Sequence, residues 1–151
     1  MSEKVLGSLV VQKWRWYLLP PKSYTLLFTP NRLIGAKFKL FTGGKTQKMV
    51  SRISKGELKE VSFESILKAD KDNFEIPYSE ITQIEMKKIS IVDKVSSSFS
   101  TSRYKWMHSG TLEIHTLSEV VRFEITIQKG HDFEECVRIL RLVLPEKLVL
   151  K

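Results

Sequence analysis

The sequence predicts a mainly β (α+β) domain with about seven antiparallel strands, a helical insert after the third strand and one C-terminal capping helix. Three observations point there. Apolar residues alternate with polar ones through residues 24–40 and 111–127, the period of half-buried strands. Apolar spacing turns helical after Gly43-Gly44 and again after Asp132. Turn-forming pairs, Pro20-Pro21 and Pro30-Asn31, divide the first strands from one another.

In the first strand Trp14 and Trp16 alternate with Lys13, Arg15 and Tyr17. In the second, Tyr24, Leu26 and Phe28 alternate with Thr25, Leu27 and Thr29. In the third, Ile34, Ala36, Phe38 and Leu40 alternate with Leu33, Gly35, Lys37 and Lys39. Residues 45–70 read as the helical insert. Met49, Val50 and Ile53 share one helical face, Lys45, Lys48, Arg52 and Lys55 fall on another, and Gly56 stops the helix. A second short helix is expected where Phe63, Ile66 and Leu67 recur, with Ser62 as its cap.

Strand chemistry returns at Phe74–Tyr78 and at Thr82–Ile91, followed by a flexible loop over residues 93–109 that contains the Ser-rich stretch Ser96–Ser102. The clearest hairpin joins Thr111–Leu117 to Val120–Ile127: Leu112, Ile114 and Thr116 alternate with Glu113 and His115, and Val121, Phe123, Ile125 and Ile127 with Arg122, Glu124 and Thr126, so each strand should bury one face. Asp132 and Glu135 then have the spacing of a capping box. Phe133, Cys136, Val137, Leu140 and Leu144 recur at helical spacing until Pro145, and Glu134 and Arg138 stand at i, i+4.

The 151 residues suit one domain, residues 1–151, and 42% apolar with 28% charged is the balance of a folded chain. The longest apolar runs fall far short of the roughly 18 residues of a spanning helix. Met1-Ser2-Glu3-Lys4 lacks the features of a secretory signal, so a cytoplasmic protein, peripheral to the membrane at most, is expected. The lone Cys136 excludes an internal disulfide and a multi-thiolate zinc site, and it reads as core.

Three segments carry a family likeness. Residues 24–34, Tyr-Thr-Leu-Leu-Phe-Thr-Pro-Asn-Arg-Leu-Ile, form a strand, a turn and an Arg-Leu-Ile strand. Residues 74–81, Phe-Glu-Ile-Pro-Tyr-Ser-Glu-Ile, hold an Ile-Pro-Tyr-x-x-Ile pattern, and residues 110–114 lead through the hairpin to the helix at Asp132. In this order and spacing the chain resembles pleckstrin-homology-like (PH-like) and GRAM-like domains. The resemblance implies a barrel of two nearly orthogonal sheets closed at one corner by the C-terminal helix. It also implies a binding module for lipid head groups, peptides or proteins rather than an enzyme. Many phosphoinositide-binding members carry a basic cluster across the first two strands, which Lys13, Arg15 and Lys22 match in part.

No zinc-protease, dithiol, nucleophile-elbow or P-loop pattern occurs, and Gly43-Gly44-Lys45-Thr46 lacks the upstream glycine of a phosphate loop. No catalytic residue, metal ligand set or cofactor is therefore expected. His108, His115 and His131 form no motif. His115 beside Glu113 could serve acid–base chemistry, although a solvated strand face explains the pair more simply.

The net charge of +8 favours anionic partners, and it is concentrated. Lys37, Lys39, Lys45, Lys48, Arg52, Lys55 and Lys59 face the single acid Glu57 between residues 37 and 59, which places six of the eight net charges there. In the assumed topology Lys22 lies near Lys45 and Lys48. The expected anion-binding surface is thus Lys22, Lys37, Lys39, Lys45, Lys48, Arg52 and Lys55, for an acidic membrane surface or a protein partner. A basic helix face that merely meets water is the plainer alternative. Nucleic-acid binding through the same insert, with Trp14, Trp16 or Trp106 as stacking platforms, is the second functional reading.

Overall fold

A computed structural model describes residues 3–13, 22–37, 50, 52–53, 56, 60–61, 63–88, 108–127 and 130–151 of the chain. Its strands are β1 (Glu3–Lys4), β2 (Gly7–Lys13), β3 (Lys22–Phe28), β4 (Arg32–Lys37), β5 (Glu60–Val61), β6 (Phe74–Pro77), β7 (Ile81–Lys88), β8 (His108–Thr116), β9 (Val120–Thr126) and β10 (Leu148–Leu150). Its helices are α1 (Glu64–Ala69) and α2 (Asp132–Val143), and a 3-10 turn, Tyr78–Glu80, joins β6 to β7.

The mainly β class is what the alternation predicts. Eight strands form one mixed sheet in the order β10-β7-β8-β9-β2-β3-β4-β6, while β1 and β5 pair separately. Two expectations are corrected here. The sheet has eight strands rather than about seven, because Leu148-Val149-Leu150 adds β10 in parallel to β7. It is also not a closed barrel, since the order ends at β10 on one side and β6 on the other. β10 occupies the edge of β7 along Ile84–Met86 that closure onto β6 would require.

Most expected strands are present with shifted ends. The first begins earlier than expected, and its buried residues are Leu9 and Val11; Trp14, Trp16 and Pro20-Pro21 lie outside the described residues. Phe38, Leu40 and residues 89–107 also lie outside them, so the Ser-rich stretch has no description, and the expected loop is shortened at its far end by β8 beginning at His108. The hairpin β8–β9 holds the anticipated faces, with Leu112 opposite Phe123 and Ile114 opposite Val121. The turn after β3 is fastened by Thr29, whose hydroxyl donates to the Arg32 carbonyl at 2.8 Å and accepts from the Arg32 amide at 3.0 Å.

β3 and β4 are not half-buried as expected but covered on both faces. Tyr24, Leu26, Phe28 and Leu33 face the main core with Ile84, Met86, Ile114 and Phe123. Leu27, Ile34 and Ala36 face a second core built from Val50, Ile53, Phe63 and Ile66. The insert is therefore a packed layer. It is not wholly helical, because β5 interrupts it and pairs with β1. Val50, Arg52 and Ile53 have helical backbone, and Gly56 follows at φ 77°, donating its N–H to the Ile53 carbonyl at 3.0 Å, the stop that its sequence position predicts.

Capping differs from the sequence reading at both helices. Phe63 rather than Ser62 precedes α1, with no side-chain cap, and Ser62 lies outside the described residues. His131 rather than Asp132 holds the N-cap position of α2, while the buried Asp132 carboxylate accepts the Gly130 amide at 3.1 Å. Glu135 pairs with Arg138 at 2.6 Å, and Glu134 reaches Lys88 instead of Arg138. The apolar stripe of α2 is as expected. Cys136 is fully buried, and burial pushes its thiol far above the ordinary range.

Arg32 draws four elements together. Its guanidinium pairs with Glu3 of β1 and Glu75 of β6, lies 3.7 Å from Glu64 of α1, and stacks 5.9 Å above the Phe63 ring. The Arg-Leu-Ile segment is thus a structural clasp.

Ile66, fully buried in the second core, sets a test of that layer. Ile66→Ala should lower unfolding free energy by about 2–5 kcal/mol, the usual result of a large-to-small core change. Urea denaturation measures it, and a loss below about 0.5 kcal/mol would mean that the insert does not pack on the sheet.

Candidate functional site

The register of β2, β3 and β4 sets lysines at one end of the sheet. Lys13 is opposite Lys22, and Lys37 is opposite Tyr24 two residues along. The chain leaves β4 for the insert from this same end. Two of the expected binding residues, Lys22 and Lys37, are brought together here, though around a carboxylate that the sequence reading did not include. Asp72 Oδ2 lies 2.9 Å from Lys37 Nζ and 3.4 Å from Lys22 Nζ. The hydrogen bond from Lys37 is the main reason that the Asp72 carboxyl is held below its usual range and the Lys37 ammonium above its own.

Asp72 is itself positioned by the turn after α1. Its amide donates to the Asp70 side chain at 2.8 Å, and Asn73 donates to the Ile66 carbonyl while accepting the Lys37 amide, both at 2.7 Å. The basic end is thus bolted to the insert.

Arg52 is exposed, whereas its neighbours Val50 and Ile53 are buried in the second core. The helical stretch therefore lies with its apolar side on the sheet and Arg52 turned outward. Lys39, Lys45, Lys48 and Lys55 lie outside the described residues, as do Met49, the Gly43–Thr46 segment and Trp106.

A second polar constellation covers the face of β7, β8 and β9 away from the core. His115 Nε2 is 3.1 Å from Glu113 Oε1 and 3.9 Å from Glu85 Oε2. Among the described residues these three are the ones that could hold a metal ion, their ligand atoms lying within 4.8 Å of one another. Each carboxylate already faces a cation, however. Arg122 donates twice to Glu113 Oε2, at 2.9 and 2.7 Å, and Lys151 Nζ is 3.2 Å from Glu85 Oε1, which also accepts from Gln83. Burial would raise the Glu113 carboxyl, yet Arg122 and His115 outweigh it and hold it below its ordinary value. Two carboxylates and two fixed cations leave this network balanced in charge. It links neighbouring strands, and the His115–Glu113 pair, expected as part of a solvated strand face, belongs to it.

An open groove of ≈ 580 Å³ lies between α2 and the β7–β10 edge. Phe133, Val137, Leu142 and Leu150 form its apolar walls, Lys88, Arg138 and Arg141 its basic ones, and Glu134, paired with Lys88, its acidic one. Neither His115 nor His131 lines it. Sequence reasoning missed this feature. The signal it left was Leu142 beside Arg141 on the outward side of an amphipathic helix, and a short apolar run after Pro145.

The comparisons with known proteins bear on the fold alone. No family model and no curated protein matches the sequence. Among solved structures the chain is similar to the hSac2 domain from human phosphoinositide phosphatase Sac2, at a TM-score of 0.51 and 10% identity, over 99% of this chain and 77% of that one. Among the described residues no helix is long and apolar enough to cross a membrane.

The shared carboxylate sets a pH test. Asp72→Asn removes a partly exposed ion pair and should cost about 0.2–1 kcal/mol at neutral pH. A depressed carboxyl contributes stability that is present above its unfolded value of 3.8 and lost as pH falls through the lower folded value. The raised Lys37 describes the same interaction from the other side, present below 10.5 and lost as pH rises through the higher folded value. Denaturation of both proteins across pH should therefore give a gap that is flat between these limits and narrows beyond each; a gap that persists below pH 2 would assign the effect to something other than charge.

Proposed function

We propose that this chain is a non-catalytic binding module of the PH-like kind whose basic sheet end engages an acidic membrane surface from the cytoplasmic side. The observation that supports this most is the orientation of the insert at its described residues. Val50 and Ile53 are sealed against the sheet while Arg52 faces solvent, and in the sequence the helical spacing groups Lys45, Lys48 and Lys55 with Arg52, apart from the apolar positions. Lys22 and Lys37 stand where the insert departs, sharing the Asp72 carboxylate, with Lys13 opposite Lys22.

The PH-like assignment rests on the three sequence segments and on the strand order. β2-β3-β4-β6 run as one meander, β7-β8-β9 as another, β9 joins β2, and the amphipathic α2 follows. The similarity to a domain of a phosphoinositide phosphatase concerns the fold, and the anionic ligand is argued from the lysines. Each Lys or Arg near an acidic bilayer contributes about 1 kcal/mol, so three or four residues give weak, salt-sensitive recruitment. The balanced network at Glu85, Glu113 and His115 favours no catalytic reading.

Co-sedimentation with phosphatidylserine-containing vesicles tests this. The wild-type chain should pellet at low salt and be released at high salt. Charge reversal of Lys45, Lys48 and Arg52 to Glu should reduce partitioning by about tenfold or more, while stability moves by no more than about 1 kcal/mol. Equal pelleting of the variant would remove the insert as the working surface. Gel shifts with single- and double-stranded oligonucleotides run in parallel, and a steep salt slope there without vesicle binding would move the reading to nucleic acid.

A further inference from the structure

The last strand leaves an unused edge beside an apolar, basic groove. In the parallel ladder the Lys147 carbonyl accepts from Ile84 at 2.8 Å and the Lys151 amide donates to Met86 at 2.9 Å, so the main-chain groups of residues 147, 149 and 151 face β7. The alternate residues, Leu148 and Leu150, turn their N–H and C=O groups to the other side, where no strand follows β10 among the described residues. An open row of this kind accepts an added strand.

The side chains beside that row fit such an addition. Leu148 and Leu150 pair with the buried Ile84 and Met86, so they extend the core face of the sheet past its last well-covered strand. Leu150 is 47% exposed and Leu142, across the groove on α2, is 65% exposed. Two large apolar side chains thus face each other across the ≈ 580 Å³ groove with little to cover them. Its charge is mainly of one sign. Lys88 takes Glu134 and Arg138 takes Glu135, whereas Arg141 has no carboxylate partner among the described residues.

We infer that this groove docks an extended peptide segment of a partner protein, added as a ninth strand along β10. Every second side chain faces α2, apolar where it lies on Leu142 and Leu150 and acidic where it meets Arg141. Main-chain bonds to Leu148 and Leu150 set its register, and the period of two along a strand makes i, i+2 spacing the recognised feature. This surface is separate from the insert and does not depend on the membrane reading.

A phage-displayed library of random nine-residue peptides, panned on the full chain, tests the inference. Enrichment of apolar residues with an acidic one at i, i+2 spacing is expected, and enrichment of basic peptides, or none, overturns it. For an enriched peptide measured by fluorescence anisotropy, Leu142→Asp and Arg141→Glu should each weaken binding at least tenfold, with unchanged melting temperatures because both sites are exposed. N-methylation of one alternate set of peptide amides should abolish binding while methylation of the other set is tolerated; full affinity after methylation of both sets in turn would rule out strand addition. The Lys45, Lys48 and Arg52 reversal should leave peptide affinity intact. If sedimentation velocity instead shows a dimer that Leu142→Asp dissolves, the groove is occupied by a second copy and the partner-peptide inference fails.

Discussion

The connection between β6 and β7 is the constraint on which the architecture depends. These strands lie six places apart in the sheet, which at about 4.8 Å per place would separate them by about 29 Å if the sheet were flat. Only Tyr78–Glu80 join them, and four residue steps from Pro77 to Ile81 span about 14 Å at most. The sheet therefore has to curl until its two ends approach. Tyr78 holds the closing point, its buried hydroxyl donating to the Thr29 carbonyl at 2.7 Å and its amide to the Asn31 carbonyl at 3.1 Å. The curl encloses the main core, leaves α2 to cover the remaining side, and stops short of closure because β10 lies along β7.

Curling also decides which strands need a second cover. The aromatic cluster of Tyr24, Phe74 and Phe123, with ring centroids 5.3–6.2 Å apart, fills the concave side under Gly35, where a Cβ would come within 2.3 Å of the Phe74 ring. On the convex side Leu27 and Ile34 would face water without the insert. Phe63, Ile66, Val50 and Ile53 remove them from it, which couples the basic segment to the fold through apolar contact rather than through charge. Its cations are then free to differ in number without disturbing the layer beneath.

Much of this was legible in the sequence where a period was long enough to read. The hairpin β8–β9 and the stripe of α2 follow directly from alternation and from helical spacing, and Pro77 with Ile81 marks the corner. The double burial of β3 and β4 was hidden because Thr25 and Gly35 break what would otherwise be a continuous apolar run, so both strands imitate one-sided alternation. β10 was missed because three residues give too short a period. Asp72 was missed because an acid in a turn has no pattern; its meeting with Lys22 and Lys37 is created by residues 50 and 35 positions away. Likewise, the Glu85 partner of His115 belongs to a neighbouring strand, and only register brings the two together.

Charge compensation finally separates the cations held in ion pairs from the basic run of residues 38–59. Arg32 is surrounded by Glu3, Glu64 and Glu75, Arg122 and Lys151 are taken by Glu113 and Glu85, and Lys22 with Lys37 share Asp72. Taken together these three clusters hold five cations and six carboxylates, so the net charge of +8 does not originate there. Its largest share comes from residues 38–59, where the sequence has six basic residues and the single acid Glu57, and that segment is anchored by Val50 and Ile53. The acids of the described strands are thus spent on holding strands together, while the basic excess of the sequence lies in the segment that Val50 and Ile53 anchor.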